Sequence, residues 1–398
     1  MPHTSRFDFV RFIPSQLFTY GSELILTGGF LTSLYLSKGL DEAQVGLVSS
    51  LTTAACIFGY LFFGRLCDRM GRRKPVMLVC YTLAVFCALG VYMVTSPLWV
   101  MALGVLCGFF FSVLPSILDA WVLAGLGEGR SHLYSIIRLF GSLGYSIVSV
   151  IYGKFITLWG WQVMPLFLLV FLGLSFAVFL PLGEAKTEPS VQPQTKQEKR
   201  GYALLLKNRP YVALVLVISL LSLGNGAFYT FLPLLVERVG GSTADLGTAS
   251  MIQAMAEIPV FIVLTYVARR IRPDKIIALS IAIFVLRYAL LLMVKTVAGL
   301  FWVLPLQGIG YALYLPSLRI CLASLAPKGL ETSAQTASDA ISGSLMGIIT
   351  GVGSGVIIKY LGYDTLMYIS MGLAAAALVL FLVLVFPAMR QAGRESET

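Results

Sequence analysis

Five ionisable side chains stand where charge is costly. Glu23, Asp119, Arg138, Glu257 and Arg287 each lie inside a long apolar run. A charge at the centre of a bilayer costs about 2.5–3.5 kcal/mol even on the lenient insertion scale, so each needs a partner or a task. A carboxylate can accept hydrogen bonds or carry a proton, and a guanidinium fork suits hydroxyls and carboxylates. Asp119 and Arg138 fall at matching depths, each about 10 Å from the same end of consecutive runs at the helical rise. Glu257 and Arg287 are level in the same way near the middle of theirs. Each pair is therefore expected to be within mutual reach. Two readings remain open: ion pairs that hold helices in register, or groups that bind a polar solute. Binding is preferred because buried ion pairs are poor stabilisers. If both arginines pair, Glu23 is left over.

The elements that must position these groups follow from composition. The chain has 398 residues, 58% hydrophobic and only 12% charged, more apolar surface than a soluble core of that length can hide. A helix crossing about 30 Å of hydrocarbon needs about 20 apolar residues. Twelve such runs can be counted: 15–36, 44–66, 75–95, 98–124, 131–155, 163–182, 211–235, 246–268, 275–295, 300–326, 333–357 and 365–387. The one long break, 183–210, is polar, carries Pro189 and Pro193 and a charge cluster at 196–200, and reads as a linker. An all-α membrane protein is expected, with twelve transmembrane helices in two pseudo-symmetric six-helix bundles, 1–182 and 211–398.

Orientation comes from Lys and Arg. With the N-terminus cytoplasmic, 21 of the 29 cations fall on the cytoplasmic side, five opposite and three inside spans. That bias places both termini and the linker in the cytoplasm of a cell (inner or plasma) membrane protein. The net charge of +10 is then topology, and no nucleic-acid partner is expected. The six cysteines have no CxxC spacing, the two histidines (His3 and His132) lie outside the span centres, and no nucleotide loop occurs. No metal, cofactor or enzymatic activity is expected. The first run lacks a cleavage pattern, so no cleavable signal peptide is expected.

The two halves repeat. An offset of 201 residues lays Gly46 on Gly247 and Ala88-Leu89 on Ala289-Leu290, and an offset of 202 lays Gly141-Ser142-Leu143 on Gly343-Ser344-Leu345. Between the second and third runs stands Gly64-Arg65-Leu66-Cys67-Asp68-Arg69-Met70-Gly71-Arg72-Arg73-Lys74, whose eroded copy lies at 265–275, with Arg269 where Asp68 would fall. This stretch resembles the loop motif of the major facilitator superfamily. The resemblance implies paired six-helix bundles, a substrate site near midplane between them, and a cytoplasmic latch. Gly64, Asp68, Arg69, Gly71, Arg72 and Arg73 would form that latch, with the aspartate against the start of the eleventh helix and Gly64 allowing close helix approach.

A narrower resemblance joins it. Leu118-Asp119-Ala120-Trp121 and Arg138-Leu139-Phe140-Gly141-x-x-Gly144-Tyr145 are similar to the sugar-binding segments of the lactose permease branch, the oligosaccharide and nucleoside proton symporters. There the acid and arginine grip hydroxyls and an aromatic stacks on the sugar ring, roles that fall on Asp119, Arg138 and Tyr145. Met255-Ala256-Glu257 and Leu286-Arg287 resemble the branch's second carboxylate and its ninth-span arginine. The tenth span departs from the branch: before Pro316 it offers Gln307, Tyr311 and Tyr314 and no acid. The seventh span offers Asn225 and Tyr229. The expected function is secondary transport of a sugar, oligosaccharide or nucleoside by alternating access, as proton-coupled import. Asp119, Arg138, Tyr145, Glu257, Asn225 and Gln307 would bind substrate, and Glu23, Glu257 and Arg287 would form the coupling network. Its partners would be the small-molecule substrate, protons and the lipid bilayer, and the protein would be a monomer. An exporter of drugs or metabolites and a non-transporting solute sensor are the alternatives. Arg319 reads as snorkelling to the cytoplasmic surface, Asp339 as lining the cytoplasmic mouth, and Tyr20, Trp121 and Phe228 as packing.

Overall fold

The computed structural model describes residues 8–126, 134–183, 204–205, 207–267, 271–326 and 330–395. The described residues are helical throughout, with no strand among them. The helices are α1 (Asp8–Leu26), α2 (Gly29–Ser37), α3 (Glu42–Met70), α4 (Lys74–Met93), α5 (Pro97–Phe111), α6 (Val113–Leu126), α7 (Tyr134–Trp159) and α8 (Met164–Phe179). After the linker come α9 (Arg209–Thr230), α10 (Leu232–Arg238), α11 (Thr243–Val267), α12 (Pro273–Met293), α13 (Val297–Val303) and α14 (Pro305–Leu325). The last are α15 (Glu331–Ser338), α16 (Met346–Leu361), α17 (Tyr363–Leu380) and α18 (Phe386–Glu395), with π-helical turns at Asp339–Leu345 and Phe381–Val385. Most of the linker, both histidines and residues 268–270 of the eroded motif copy lie outside the described residues.

Among the described residues ten continuous segments are long and apolar enough to cross a membrane, and they reconcile with twelve spans. The segment Ile137–Phe179 runs 43 residues, about twice the length that one crossing needs. It is two spans, α7 and α8, joined through Gly160 (φ +68°) and a 3-10 turn. The first span is not among the ten because it breaks into α1, whose 19 residues include Arg11, Gln16 and Glu23, and α2, which has only nine. At the break, the carbonyl of Glu23 accepts from the Thr27 and Gly28 amides and from the Thr27 hydroxyl at 2.9–3.1 Å. The seventh span breaks at the corresponding place, between α9 and α10. Broken helices in matching repeats are a common feature of transporters.

The chain clusters into two compact units. One comprises Met1–Val191 with Thr230–Ala254, and the other Gln192–Tyr229 with Met255–Thr398. The second-half segment in the first unit is held there by backbone proximity. The Thr157 hydroxyl of α7 accepts from the Ala244 amide at 2.9 Å, satisfying an orphan donor at the start of α11. A Cβ on Gly153 would lie 2.5 Å from the Thr243 carbonyl, and one on Gly247 would overlap the Ser149 carbonyl.

Within the first unit, α1 packs tightly on α7. A Cβ on Gly144 would overlap the carbonyl of Leu17, and one on Gly21 would meet Val148 at 2.8 Å. One set of helix ends is pinned by Lys38, whose ammonium donates to the carbonyls of Tyr92 and Val94 at 2.6 Å. Partial burial pushes this ammonium below the ordinary lysine range. The opposite ends are held by Lys74, which donates to the Leu180 carbonyl at 2.8 Å, and by the Trp121 indole, which donates to the Gly183 carbonyl at 3.0 Å.

Gly64 contrasts with these crossings, because a Cβ there would meet nothing within 4 Å. Gly144→Ala should therefore lower the melting temperature in detergent, at a cost of about 1–3 kcal/mol or more for forcing α1 from α7. Gly64→Ala should leave stability unchanged or raise it by up to about 1 kcal/mol through helix propensity. Equal effects at the two glycines would refute the assigned packing.

Candidate functional site

In the first unit the polar residues of α1 recur one and two turns apart. Gln16, Tyr20 and Glu23 fall at i, i+4 and i+7 on one helix face. Gln16 is fully buried and donates through Nε2 to Asp119 Oδ1 of α6 at 2.9 Å. The Tyr20 hydroxyl donates to the other oxygen, Asp119 Oδ2, at 3.3 Å, and the Tyr134 hydroxyl also turns toward this carboxylate. The guanidinium of Arg138, on α7, lies over the Tyr20 ring 3.7 Å from its centroid. Such a desolvated cation over an aromatic face gains about 2 kcal/mol.

The spacing of α7 permits this stack. A Cβ on Gly141 would sit 2.7 Å from the Tyr20 ring and 2.9 Å from Arg138 Nη1. Gly144, one turn on, sets the helix separation. Among the described residues Asp119 and Arg138 form no direct ion pair, contrary to the expectation from their depths. Axial level does not fix the direction around each helix, and Tyr20 stands between them, hydrogen-bonded to one and stacked on the other. Glu23 lies within electrostatic reach of Arg138. Tyr145, half-buried, follows Arg138 by two turns. The cluster offers a carboxylate acceptor, a guanidinium fork and aromatic faces, chemistry that can meet hydroxyl groups.

The second unit treats its arginine differently. Arg287 of α12 has 0% exposure, and its Nη2 donates to Asn225 Oδ1 of α9 at 3.0 Å. Three rings surround the guanidinium, with centroids 4.4 Å (Phe228), 5.4 Å (Phe284) and 4.1 Å (Tyr288) away. Its Nε and Nη1 atoms are buried with no hydrogen-bond acceptor among the described residues. No direct ion pair between Arg287 and Glu257 is found among the described residues. The acceptor that reaches Arg287 is an amide from the broken seventh span, since Asn225 lies within two turns of the α9–α10 break. Beside it, Gln307 Nε2 of α14 donates to the Tyr229 hydroxyl at 2.5 Å, and Glu257 of α11 acts electrostatically on that same tyrosine.

Two smaller readings change. Arg319 does not simply snorkel: its Nη1 meets Asp339 Oδ2 at 2.8 Å, at the start of the π-helical turn. Tyr20 and Phe228 are not mere packing, since each carries an arginine on its face. Trp121 is packing, 1% exposed. Gln16 escaped the sequence reading, although the Gln16–Tyr20–Glu23 stripe was a signal that could have found it.

The basic motif is mostly helix. α3 continues through Gly64, Asp68 and Arg69 to Met70 and ends on Gly71 in the left-handed conformation (φ 60°, ψ 17°), which favours glycine at a helix C-terminus. Only Gly71, Arg72 and Arg73 separate α3 from α4. Arg69 and Arg72 are exposed and Arg73 is intermediate, while the Asp68 side chain lies outside the described residues. Gly64 makes no close approach among the described residues.

Broken first and seventh spans, inward arginines and two helical repeats define a membrane transporter of the major facilitator type. The chain belongs to the MFS_1 like family, whose model matches residues 18–393. It is 25% identical over 361 residues to the "Probable 3-phenylpropionic acid transporter" of Escherichia coli (strain K12), covering 88% of this chain and 90% of that one. It is 23% identical over 378 residues to "Maltose permease" of Geobacillus stearothermophilus, with 92% of each chain covered. The fold matches the crystal structure of nucleoside transporter NupG (D323A mutant) with a TM-score of 0.80 at 16% identity, over 95% of this chain and 98% of that one. Fold and family are thus those of multi-pass membrane transporters, not of enzymes.

The stacking arrangement predicts graded losses at Tyr20. Tyr20→Phe keeps the ring and loses one hydrogen bond, a cost of about 0.5–1.5 kcal/mol. Tyr20→Ala also uncovers the guanidinium and should lower the melting temperature clearly further. Equal melting temperatures for the two variants would rule out the stack as a stabilising contact.

Proposed function

We propose that this protein is a secondary transporter that imports a small polar solute of the sugar, oligosaccharide or nucleoside class together with protons, by alternating access. The observation that carries this reading is the Asp119–Tyr20–Arg138 arrangement: a carboxylate at 2.9 Å and 3.3 Å from its donors, and a guanidinium 3.7 Å from a ring. Asp119 and Arg138 grip hydroxyls and Tyr145 contacts the ring in the first bundle. Glu257, Asn225 and Gln307 contribute polar contacts in the second. Glu23, Glu257 and Arg287 form the coupling network, because the tenth span has no acid to carry the proton. Gly64, Asp68, Arg69, Gly71, Arg72 and Arg73 form the cytoplasmic latch, with both termini on that side. The names of two similar proteins, a maltose permease and a nucleoside transporter, support the class.

A second reading rests on Arg287. A fully buried guanidinium with two unfilled donors amid three aromatic rings suits an aromatic carboxylate, whose oxygens would fill the donors and whose ring would join the cage. The similarity to a probable 3-phenylpropionic acid transporter supports it.

A thermal-shift screen of purified protein against sugars, nucleosides and aromatic acids separates the two, followed by uptake of the hit into proteoliposomes with and without an inward proton gradient. A sugar or nucleoside hit whose uptake the gradient accelerates is the expected result. Arg138→Lys should abolish that uptake in folded protein, since an ammonium lacks the fork; unchanged transport would overturn the assignment. Arg287→Met should still fold, because the aliphatic side chain fills the ring-lined space and removes the cost of burying a charge. If the aromatic-acid reading holds, Arg287→Met loses the acid-induced shift; a retained shift would eliminate it.

A further inference from the structure

The outer face of α3 carries a groove that neither the proposed site nor the latch explains. It has a volume of about 520 Å³ and is lined by Phe58, Leu61, Phe62, Arg65, Leu66 and Arg69 of α3 with Phe109 of α5. Every residue belongs to the first unit. Phe58, Leu61 and Phe62 are 68%, 54% and 60% exposed, which in a membrane-spanning helix means exposed to lipid. The wall behind is stiff: Phe62 meets Phe63 edge-on at 5.0 Å, and Phe63 rests on Phe109 at 5.4 Å.

The order of residues along this face is informative. Phe58, Phe62, Arg65, Leu66 and Arg69 recur at i, i+4, i+7, i+8 and i+11, one continuous stripe. Its upper two turns are aromatic and aliphatic, and its last turn and a half is cationic. Arg65 and Arg69 are exposed and have no partner among the described residues. They lie one turn apart, about 6 Å along the axis, at the end of α3 where the helix leaves the hydrocarbon. Ordinary bilayer lipid would cover the aromatic turns whatever its headgroup. The two unpaired guanidiniums add a demand for negative charge at headgroup depth, and only a molecule with both an apolar tail and an anionic head meets both requirements at this spacing.

We propose that this groove is a binding site for an anionic diacyl glycerophospholipid of the cytoplasmic leaflet. One acyl chain lies along Phe58, Leu61, Phe62 and Phe109, and the phosphate sits between Arg65 and Arg69. The preponderance of Lys and Arg on that membrane side agrees with the leaflet. The bidentate fork of arginine suits a phosphate diester. Because Arg69 also belongs to the latch motif, the lipid would compete with other uses of that side chain.

The test is native mass spectrometry and thermal shift of the purified full-length protein, titrated with phosphatidylglycerol, phosphatidylcholine of the same chains, or inorganic phosphate. Phosphatidylglycerol should bind more tightly than phosphatidylcholine, and phosphate alone should give no shift. Arg65→Gln, outside the motif's defining residues, should weaken phosphatidylglycerol about fivefold, and Arg65→Gln with Arg69→Gln by about 25-fold, at about 1 kcal/mol per cation near the surface. Phosphatidylcholine, whose choline cation offsets the same phosphate, should weaken less than phosphatidylglycerol. Arg72→Gln, beyond the groove, should leave the preference intact. Equal binding of the two lipids by wild type, an undiminished preference in Arg65→Gln, or a shift with phosphate matching that with lipid would each overturn the proposal.

Discussion

An arginine cannot be left bare in hydrocarbon, and the interior of this protein is arranged around that constraint. The two halves meet it differently. In the first unit, Arg138 lies on the face of Tyr20, whose hydroxyl is turned to Asp119, so cation and anion share an aromatic intermediary rather than a direct bond. In the second, Arg287 is enclosed by three rings and one amide oxygen and keeps two donors unfilled. The first arrangement draws on a carboxylate, Asp119, and the second on an amide, Asn225.

The first arrangement depends on helix separation, and helix separation depends on glycine. Tyr20 reaches over Arg138 because α1 and α7 touch backbone to backbone at Gly144 and Gly21, and because Gly141 leaves room for both ring and guanidinium. Sequence, packing and site chemistry are continuous here: any side chain at 141 or 144 would act on the charge cluster by moving a helix. The same device recurs at Gly153 and Gly247, where it brings the start of α11 against α7.

Much of this was legible in the sequence. Apolar run lengths gave the twelve spans, because bilayer thickness and helical rise together leave little freedom. The depths of the buried charges were legible for the same reason. Their partners were not: the rise per residue places a side chain along the axis but not around it, so Tyr20 and Asn225 stood where Asp119 and Glu257 were expected. The breaks in the first and seventh spans were also hidden, since Thr27-Gly28 and Phe231 are unremarkable inside apolar runs; at the first, the Glu23 carbonyl receives the Thr27 and Gly28 amides. The basic motif looked like a loop because it is charged. It is helix because only Gly71 takes the left-handed conformation that ends one.

On the proposed function, these buried groups serve movement of a solute and not merely its detection or the register of helices. The most direct test is counterflow in proteoliposomes loaded with an unlabelled ligand from the thermal-shift screen, with labelled ligand outside. Transient accumulation of label, lost in the Arg138→Lys protein, is the predicted result. Ligand binding with no counterflow in the wild-type protein would contradict the account and point to a sensor.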